Sequence, residues 1–250
     1  MLAARLRSRR KYSVSIWFVT PAWGRFEMTA ICLEQRKRVI DELGRKGVEA
    51  HCVVVADDQN LYTAQSLGFE TVEQNNDWLG RKFNDGQEYA GKHGAEWIVP
   101  IGSDSFVDSA YFVPLPDQKE TRTSHMYAPV EPNRLAELKV GMMGAGPHMF
   151  HRNLMARRGF RPAPDRIKRN TDSATIKGLG FIKAWQWRDL HSLQYVGFRH
   201  PPFITQYALL WQRWGVAERT DPWERLAKVY PKDLVERARA VMATQAEVAA

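Results

Sequence analysis

The stretch Trp97–Asp108, WIVPIGSDSFVD, runs from an apolar segment (Trp97, Ile98, Val99, Ile101) straight into Gly102-Ser103-Asp104-Ser105. That is the pattern of a strand buried on both faces and ending in a polar turn. In open α/β sheets, ligands bind just beyond the carboxyl ends of the strands. Asp104 is thereby placed where a divalent metal or a sugar phosphate meets the sheet. Asp and Ser are also turn and cap residues, so on this stretch alone Asp104 reads equally as a cap.

The flanking sequence alternates strands with helices. Val14–Val19 reads as a first strand, closed at Thr20-Pro21 because proline ends a ladder. Phe26–Leu43 carries Ile31, Val39, Ile40 and Leu43 at helical spacing, with Gly44 and Gly47 after it as stop signals. Ala50–Ala56 is a second buried strand ended by Asp57-Asp58. Tyr62–Leu67 is a short helix, Phe69–Val72 a third strand, Gly80–His93 a polar helix and Glu96–Ile101 the fourth strand. This order predicts a mostly parallel sheet built from βαβ units.

The second half is less regular. Pro114–Ser124 reads as a polar loop, His125–Val130 as an edge strand and Met142–Met149 as a Gly-rich turn leading to a helix over His151–Arg158. Arg161–Asn170, with two prolines and many charges, is expected to be a mobile surface loop. A helix opens at Asp172, Gln194–Phe198 is a last strand, and Leu226–Val248 forms one or two helices interrupted at Pro231.

Composition bounds the function classes. The 250 residues are 44% hydrophobic and 26% charged, as expected of a globular chain with a substantial core. No apolar run is long enough to span a bilayer. The basic residues Arg5, Arg7, Arg9, Arg10 and Lys11 precede no hydrophobic signal core. A cytoplasmic location without a membrane partner is the expectation. Cys32 and Cys52 are too few for a disulfide framework, lack zinc-type spacing and read as core residues. The net charge is +8 and the pI about 9.6, which points to a polyanionic partner. Arg152, Arg157, Arg158, Arg161, Arg166, Lys168 and Arg169 concentrate that charge, opposed locally by Asp165. A solvated basic loop, a diphosphate site and a nucleic-acid backbone site all fit this cluster.

The sequence of features from Val14 to Leu179 resembles the GT-A glycosyltransferases, in particular the family-2-like inverting enzymes. Thr20, Pro21 and Arg25 follow strand one, and Asp57 and Asp58 follow strand two. Asn75-Asn76 precede Gly80, Arg81, Asn84 and Gly86, which match a Gly-x-x-x-Asn-x-Gly pattern. The resemblance implies donor contacts from Thr20, Pro21, Arg25, Asp57, Asp58, Arg81, Asn84, Ser103 and Asp104. The family's fourth strand ends in Asp-x-Asp, whose metal bridges the donor phosphates. Here Gly102-Ser103-Asp104 lacks the first acid, and Asp104 with a late histidine, His191 or His200, is the implied set for Mn²⁺ or Mg²⁺. Asp108 reads as a helix cap or an outer carboxylate.

GMMGAGPHMFHRNLMARRGF and RNTDSATIKGL resemble the family's acceptor half. Gly144, Gly146, His148, Arg166, Lys168 and Arg169 are the implied acceptor contacts. Asp172 stands in the general-base position, where a carboxylate removes the acceptor hydroxyl proton; a helix N-cap is its plainer reading. Trp185 and Trp187 suit stacking on a sugar or base, and suit packing equally well.

The implied fold is α/β, a GT-A, Rossmann-like and mostly parallel central sheet flanked by helices. Residues 12–215 form the transferase domain, with 12–113 binding the nucleotide-sugar and 114–215 the acceptor, and 216–250 form a C-terminal helical extension. The implied activity is metal-dependent inverting transfer from a nucleotide-sugar, a UDP-sugar by preference, to a hydroxyl. Size and charge resemble virus-encoded enzymes that glycosylate hydroxymethylated pyrimidines, which favours DNA as acceptor over protein or polysaccharide. A nucleotidyltransferase is the nearest enzyme rival, although TPAWGRFE after strand one has a single glycine. A non-catalytic nucleic-acid-binding protein is the rival of another class.

Overall fold

A computed structural model describes residues 14–115, 121–123, 126–131, 134–138, 148–168, 171–180, 185–187, 195–198, 215–218 and 221–249. Four parallel strands form the heart of the larger sheet: β1 (Ser15–Pro21), β2 (Glu49–Ala56), β3 (Glu70–Glu73) and β4 (Trp97–Pro100). β1 lies between β4 and β2, and β3 follows β2. Ile16, Phe18 and Val19 of β1, and Val53, Val54 and Val55 of β2, are all fully buried. This burial on both faces explains why these strands read as continuous apolar runs rather than alternating ones.

The connecting helices are α1 (Phe26–Arg45), α2 (Gln59–Ser66) and α3 (Leu79–Lys92). α3 lies so close to the sheet that a Cβ on Gly86 would come within 2.5 Å of Val19 and 2.9 Å of Val55.

After β4 the chain departs from simple alternation. β5 (Ser105–Val107) leaves the first sheet and a 3₁₀ turn (Ser109–Tyr111) follows, capped by the Asp108 carboxylate on the Ala110 N–H at 2.6 Å. Strands β6 (Thr121–Thr123), β7 (Met126–Glu131), β8 (Arg134–Leu138) and β9 (Met149–His151) come next, then α4 (Arg152–Ala156) and α5 (Thr171–Leu179). β10 (Trp185–Trp187), β11 (Tyr195–Gly197), β12 (Gly215–Glu218), α6 (Pro222–Leu226) and α7 (Lys232–Ala249) complete the described elements.

The larger sheet has the order β10-β6-β9-β4-β1-β2-β3, and β9 enters antiparallel beside β4. A second sheet, β12-β8-β7-β11-β5, is mainly antiparallel. The parallel half matches the sequence expectation, and the strands expected over His125–Val130 and Gln194–Phe198 are present as β7 and β11. β7 is not an edge strand, since it lies between β8 and β11; the expected polar loop Pro114–Ser124 contains β6, and β5 and β9 were not foreseen. Strands of three residues show too little alternation to declare a period.

α1 ties the two sheets together. The Gln35 carboxamide donates to the Val107 carbonyl at 2.7 Å and accepts from the Val107 N–H at 3.3 Å, acting as a strand partner for β5. On its other flank, Met28, Ile31 and Cys32 of α1 share a core with Phe106, Phe198, Trp223, Leu226 and Leu234. The C-terminal helices are clipped to α1 by Arg38–Asp233 and Arg237–Glu34 ion pairs, each at 2.6 Å. Exposed pairs of this kind add under about 1 kcal/mol each, so the shared apolar core carries the docking.

Candidate functional site

The carboxyl ends of β1 and β4 meet the amino end of α3 around a cavity of about 420 Å³, lined in part by Pro21, Trp23, Arg25, Lys82, Ser103 and Lys168. Its position is the one that open α/β sheets use for ligands. The wall of this cavity is made by an unusual turn. Gly24 and Arg25 both have positive φ, 54° and 46°, and a non-glycine residue held there is strained. The Asp58 carboxylate accepts from the Gly24 N–H at 3.2 Å, and the Asn60 side chain donates to the Gly24 carbonyl at 3.1 Å. The turn is thereby held from α2, and it delivers Arg25 to the cavity.

Arg25 Nη1 pairs with Asp104 Oδ2 at 2.7 Å. The Asp104 side chain is 3% exposed against 27% for Arg25, so the arginine faces the cavity and the aspartate backs it. Ser105 Oγ donates to the other Asp104 oxygen at 3.2 Å.

Lys82 forms a second cationic wall. Its Nζ donates to the Ala22 carbonyl at 2.8 Å and to the Asn76 side chain, whose amide in turn donates to Asp57. Burial lowers the Lys82 pKa from its ordinary value, and Asp57 and Asp58 pull it back toward the charged form. Lys168 lies with Nζ 5.0 Å from the Trp78 ring centroid, within cation–π range. Beneath the turn, Arg36 is fully buried, donating to Thr20 Oγ1 at 3.2 Å and to the Ser105 carbonyl at 3.0 Å. Desolvation lowers its pKa too.

Of the residues implied as donor contacts, Pro21, Arg25 and Ser103 line the cavity, joined by Lys168 from the implied acceptor set. The others sit elsewhere. Thr20 is buried against Arg36, and Asp58 caps α2 on the Asn60 N–H at 2.9 Å while bracing Gly24. Asp57 holds Asn76. Asn84 is buried and donates to the Ala163 carbonyl and to Asp165, both at 2.7 Å. Arg81 gives its backbone N–H to the Asp165 carbonyl at 3.1 Å.

These last contacts correct the expectation of a mobile loop over 161–170 for its described part, 161–168. The Gly80 N–H also donates to the Ile167 carbonyl at 3.0 Å, so the loop satisfies the open amino end of α3. Arg161 is held by Asp85, Glu88 and Asp165 at 2.7–2.9 Å. The basic cluster is therefore partly neutralised inside the protein, while Arg166 is exposed.

His148 is buried, stacks on Phe150 with centroids 5.5 Å apart and shares a narrow seam with Pro100 and Thr171. That seam brings the start of α5, where Asp172 lies, beside the carboxyl end of β4. Gly144, Gly146, Arg169, His191 and His200 lie outside the described residues.

A divalent ion bound by protein needs several hard ligands. Among the described residues no three His, Cys, Asp or Glu side chains gather into such a set. Asp104 is already ion-paired, and a Cβ at position 102 would lie 2.6 Å from its Oδ1. A first acid at that position would require the Asp104 carboxylate to shift. The described donor set does not fit a divalent metal.

Lys82 and Trp23 were not singled out from the sequence, and Asn76 entered only as part of the Asn-Asn turn before Gly80. Lys82 left a signal: it stands three residues after Leu79 and four before Gly86, which places a lysine on the inner stripe of α3.

No family model and no curated protein matches the sequence. Among solved structures, the chain is similar to S. aureus TarS 1-349 at 12% identity and a TM-score of 0.56, covering 74% of this chain and 60% of that one. S. aureus TarS 1-349 in complex with UDP gives 14% identity and a TM-score of 0.57, over 75% and 61% of the two chains. Against S. aureus TarS the values are 13% and 0.55, over 75% of this chain and 37% of that one. The chain thus spans about 60% of the length of the first two. The fold is α/β, with a mostly parallel central sheet flanked by helices, and is GT-A-like.

Proposed function

We propose that this protein is a glycosyltransferase that moves a sugar from a nucleotide-sugar donor, a UDP-sugar by preference, to a hydroxyl acceptor. The observation that carries this reading is the cavity at the carboxyl ends of β1 and β4. It is walled by Arg25, Lys82 and Lys168, with an exposed Trp23 at its side. Three cations suit a diphosphate, and an indole face suits a nucleoside base. The UDP-bound structure of TarS 1-349, similar in fold, supports the choice of nucleotide.

In this proposal the acceptor oxygen attacks the anomeric carbon as the carbon–phosphate-oxygen bond breaks. Asp172, in the first turn of α5, takes the acceptor proton, and the anomeric configuration inverts. The bond-breaking pair stays on the diphosphate, where the cations of the cavity stabilise it. No step draws on a divalent ion.

The favoured acceptor is a hydroxymethylated pyrimidine in DNA. The net charge of +8 and the exposed Arg157, Arg158 and Arg166 suit a phosphate backbone, and a hydroxymethyl base presents a primary hydroxyl. The test is to incubate the purified protein with UDP-sugars, with and without hydroxymethylcytosine-containing DNA. UDP release and the masses of the DNA nucleosides are then measured. A hexose or pentose increment on the base supports both donor and acceptor. UDP release without DNA modification keeps the transferase and rejects DNA. No release with any UDP-sugar rejects the donor.

A further inference from the structure

We propose that Arg25, with Lys82 and Lys168, holds the donor diphosphate in place of a divalent ion, and that Asp104 is the residue that positions Arg25. This rests on the nucleotide-sugar reading above. A metal-bridged site would present carboxylates to the diphosphate. This site presents a guanidinium and keeps the carboxylate behind it: Arg25 lines the cavity, and the Asp104 side chain is 3% exposed.

The arrangement is built rather than incidental. Arg25 sits at φ 46°, a strained value for a non-glycine residue. The turn that carries it is fixed by Asp58 and Asn60 on one side and by the 2.7 Å pair with Asp104 on the other. The pair with Asp104 is made through Nη1, and a guanidinium is a planar group whose geometry matches phosphate oxygens. Gly102 leaves the Asp104 carboxylate in place against Arg25, because a Cβ there would press on Asp104 Oδ1 at 2.6 Å. A first acid at position 102 would require the carboxylate that holds Arg25 to shift.

In the reaction, the acceptor oxygen–carbon bond forms, the carbon–oxygen bond to the β-phosphate breaks, and its electron pair passes to the phosphate oxygen. The acceptor proton goes to the Asp172 carboxylate. Fixed cations at the diphosphate stabilise that developing charge without reorganisation. The basic wall outnumbers the acidic one, with Asp77 the acidic residue lining the same cavity.

The test is calorimetric titration of the whole protein with UDP, in EDTA and in Mn²⁺. The expected result is a Kd that agrees within about threefold between the two. Arg25→Ala is expected to weaken UDP roughly tenfold or more in both buffers, as loss of a charge-assisted bond predicts. Arg25→Lys, which keeps a cation against Asp104, is expected to recover part of that loss and guards against a folding failure of the alanine variant. Asp104→Asn is expected to weaken UDP equally with and without Mn²⁺.

UDP binding that is about tenfold or more tighter in Mn²⁺, with the difference erased by Asp104→Asn, overturns the inference and leaves the nucleotide site standing. Absence of UDP binding in both buffers overturns the nucleotide site, and the inference with it.

Discussion

The side-chain amide of Asn84 donates to the carboxylate of Asp165 across 2.7 Å, joining the middle of α3 to the loop that carries Lys168. The same amide nitrogen reaches the Ala163 carbonyl at 2.7 Å, and its oxygen accepts from the Ala163 N–H at 3.4 Å. A residue that matches a donor-binding pattern in sequence is, in the fold, a buried clamp. Asn84→Ala is expected to lower stability by about 1.5–3 kcal/mol, the range for a hydrogen bond to a charged group. Urea denaturation measures it directly, and UDP affinity is expected to fall with the loosened loop.

Stability is expected to decline with acid through the same clamp. Asp165 lies below the ordinary carboxylate pKa of 3.8, chiefly through the Asn84 bond and also through Arg161. Glu88 lies below 4.5 through Lys92 first and then Arg161. Depressed carboxylates contribute stability above their unfolded pKa and lose it as pH falls through the folded value. That contribution is therefore present at neutral pH and fades below about pH 5. Arg161→Met is expected to flatten this acid limb in urea titrations between neutral pH and pH 3. An unchanged slope in the variant contradicts the assignment.

Two glycines separate close approach from intrinsic propensity. A Cβ at Gly178 would fall 1.6 Å from the Pro162 carbonyl oxygen, whereas at Gly44 it meets nothing within 4 Å. Gly178→Ala forces backbone movement between α5 and the 160s loop and is expected to cost about 3 kcal/mol or more. Gly44→Ala, inside α1, is expected to stabilise by about 0.5–1 kcal/mol. Thermal melts of both variants give the comparison.

Asp172→Asn is expected to reduce transfer about 10²–10⁴-fold, the range for loss of a general base. UDP affinity is expected to hold, because the cavity walls come from other elements. If Asp172 only steadies the first turn of α5, the melting temperature falls and transfer per folded molecule does not.

Much of the first half was legible in the sequence, for a physical reason. Strands such as Val53–Val55 are buried on both faces and α1 repeats its apolar residues over twenty positions, so both periods stand out. β5 and β9 are three residues each, too short for a period, and β5 is fixed by long-range pairing with β11 and with Gln35. The strand-end position of Asp104 was legible, but its partner was not. Arg25 reaches it across 79 residues of sequence through a strained turn, which no local pattern announces. The same limit hid the clamp on 161–168, where prolines and charges read as mobility and long-range bonds to Asn84, Gly80 and Asp85 impose order.

The cavity at the ends of β1 and β4 is proposed to hold the nucleotide diphosphate. Hydrogen–deuterium exchange with and without saturating UDP tests it most directly. Slowed exchange is expected in the turn at 22–25 and across the start of α3 at 79–82, with little change in α7. Protection confined to other segments, or none in these two, contradicts it.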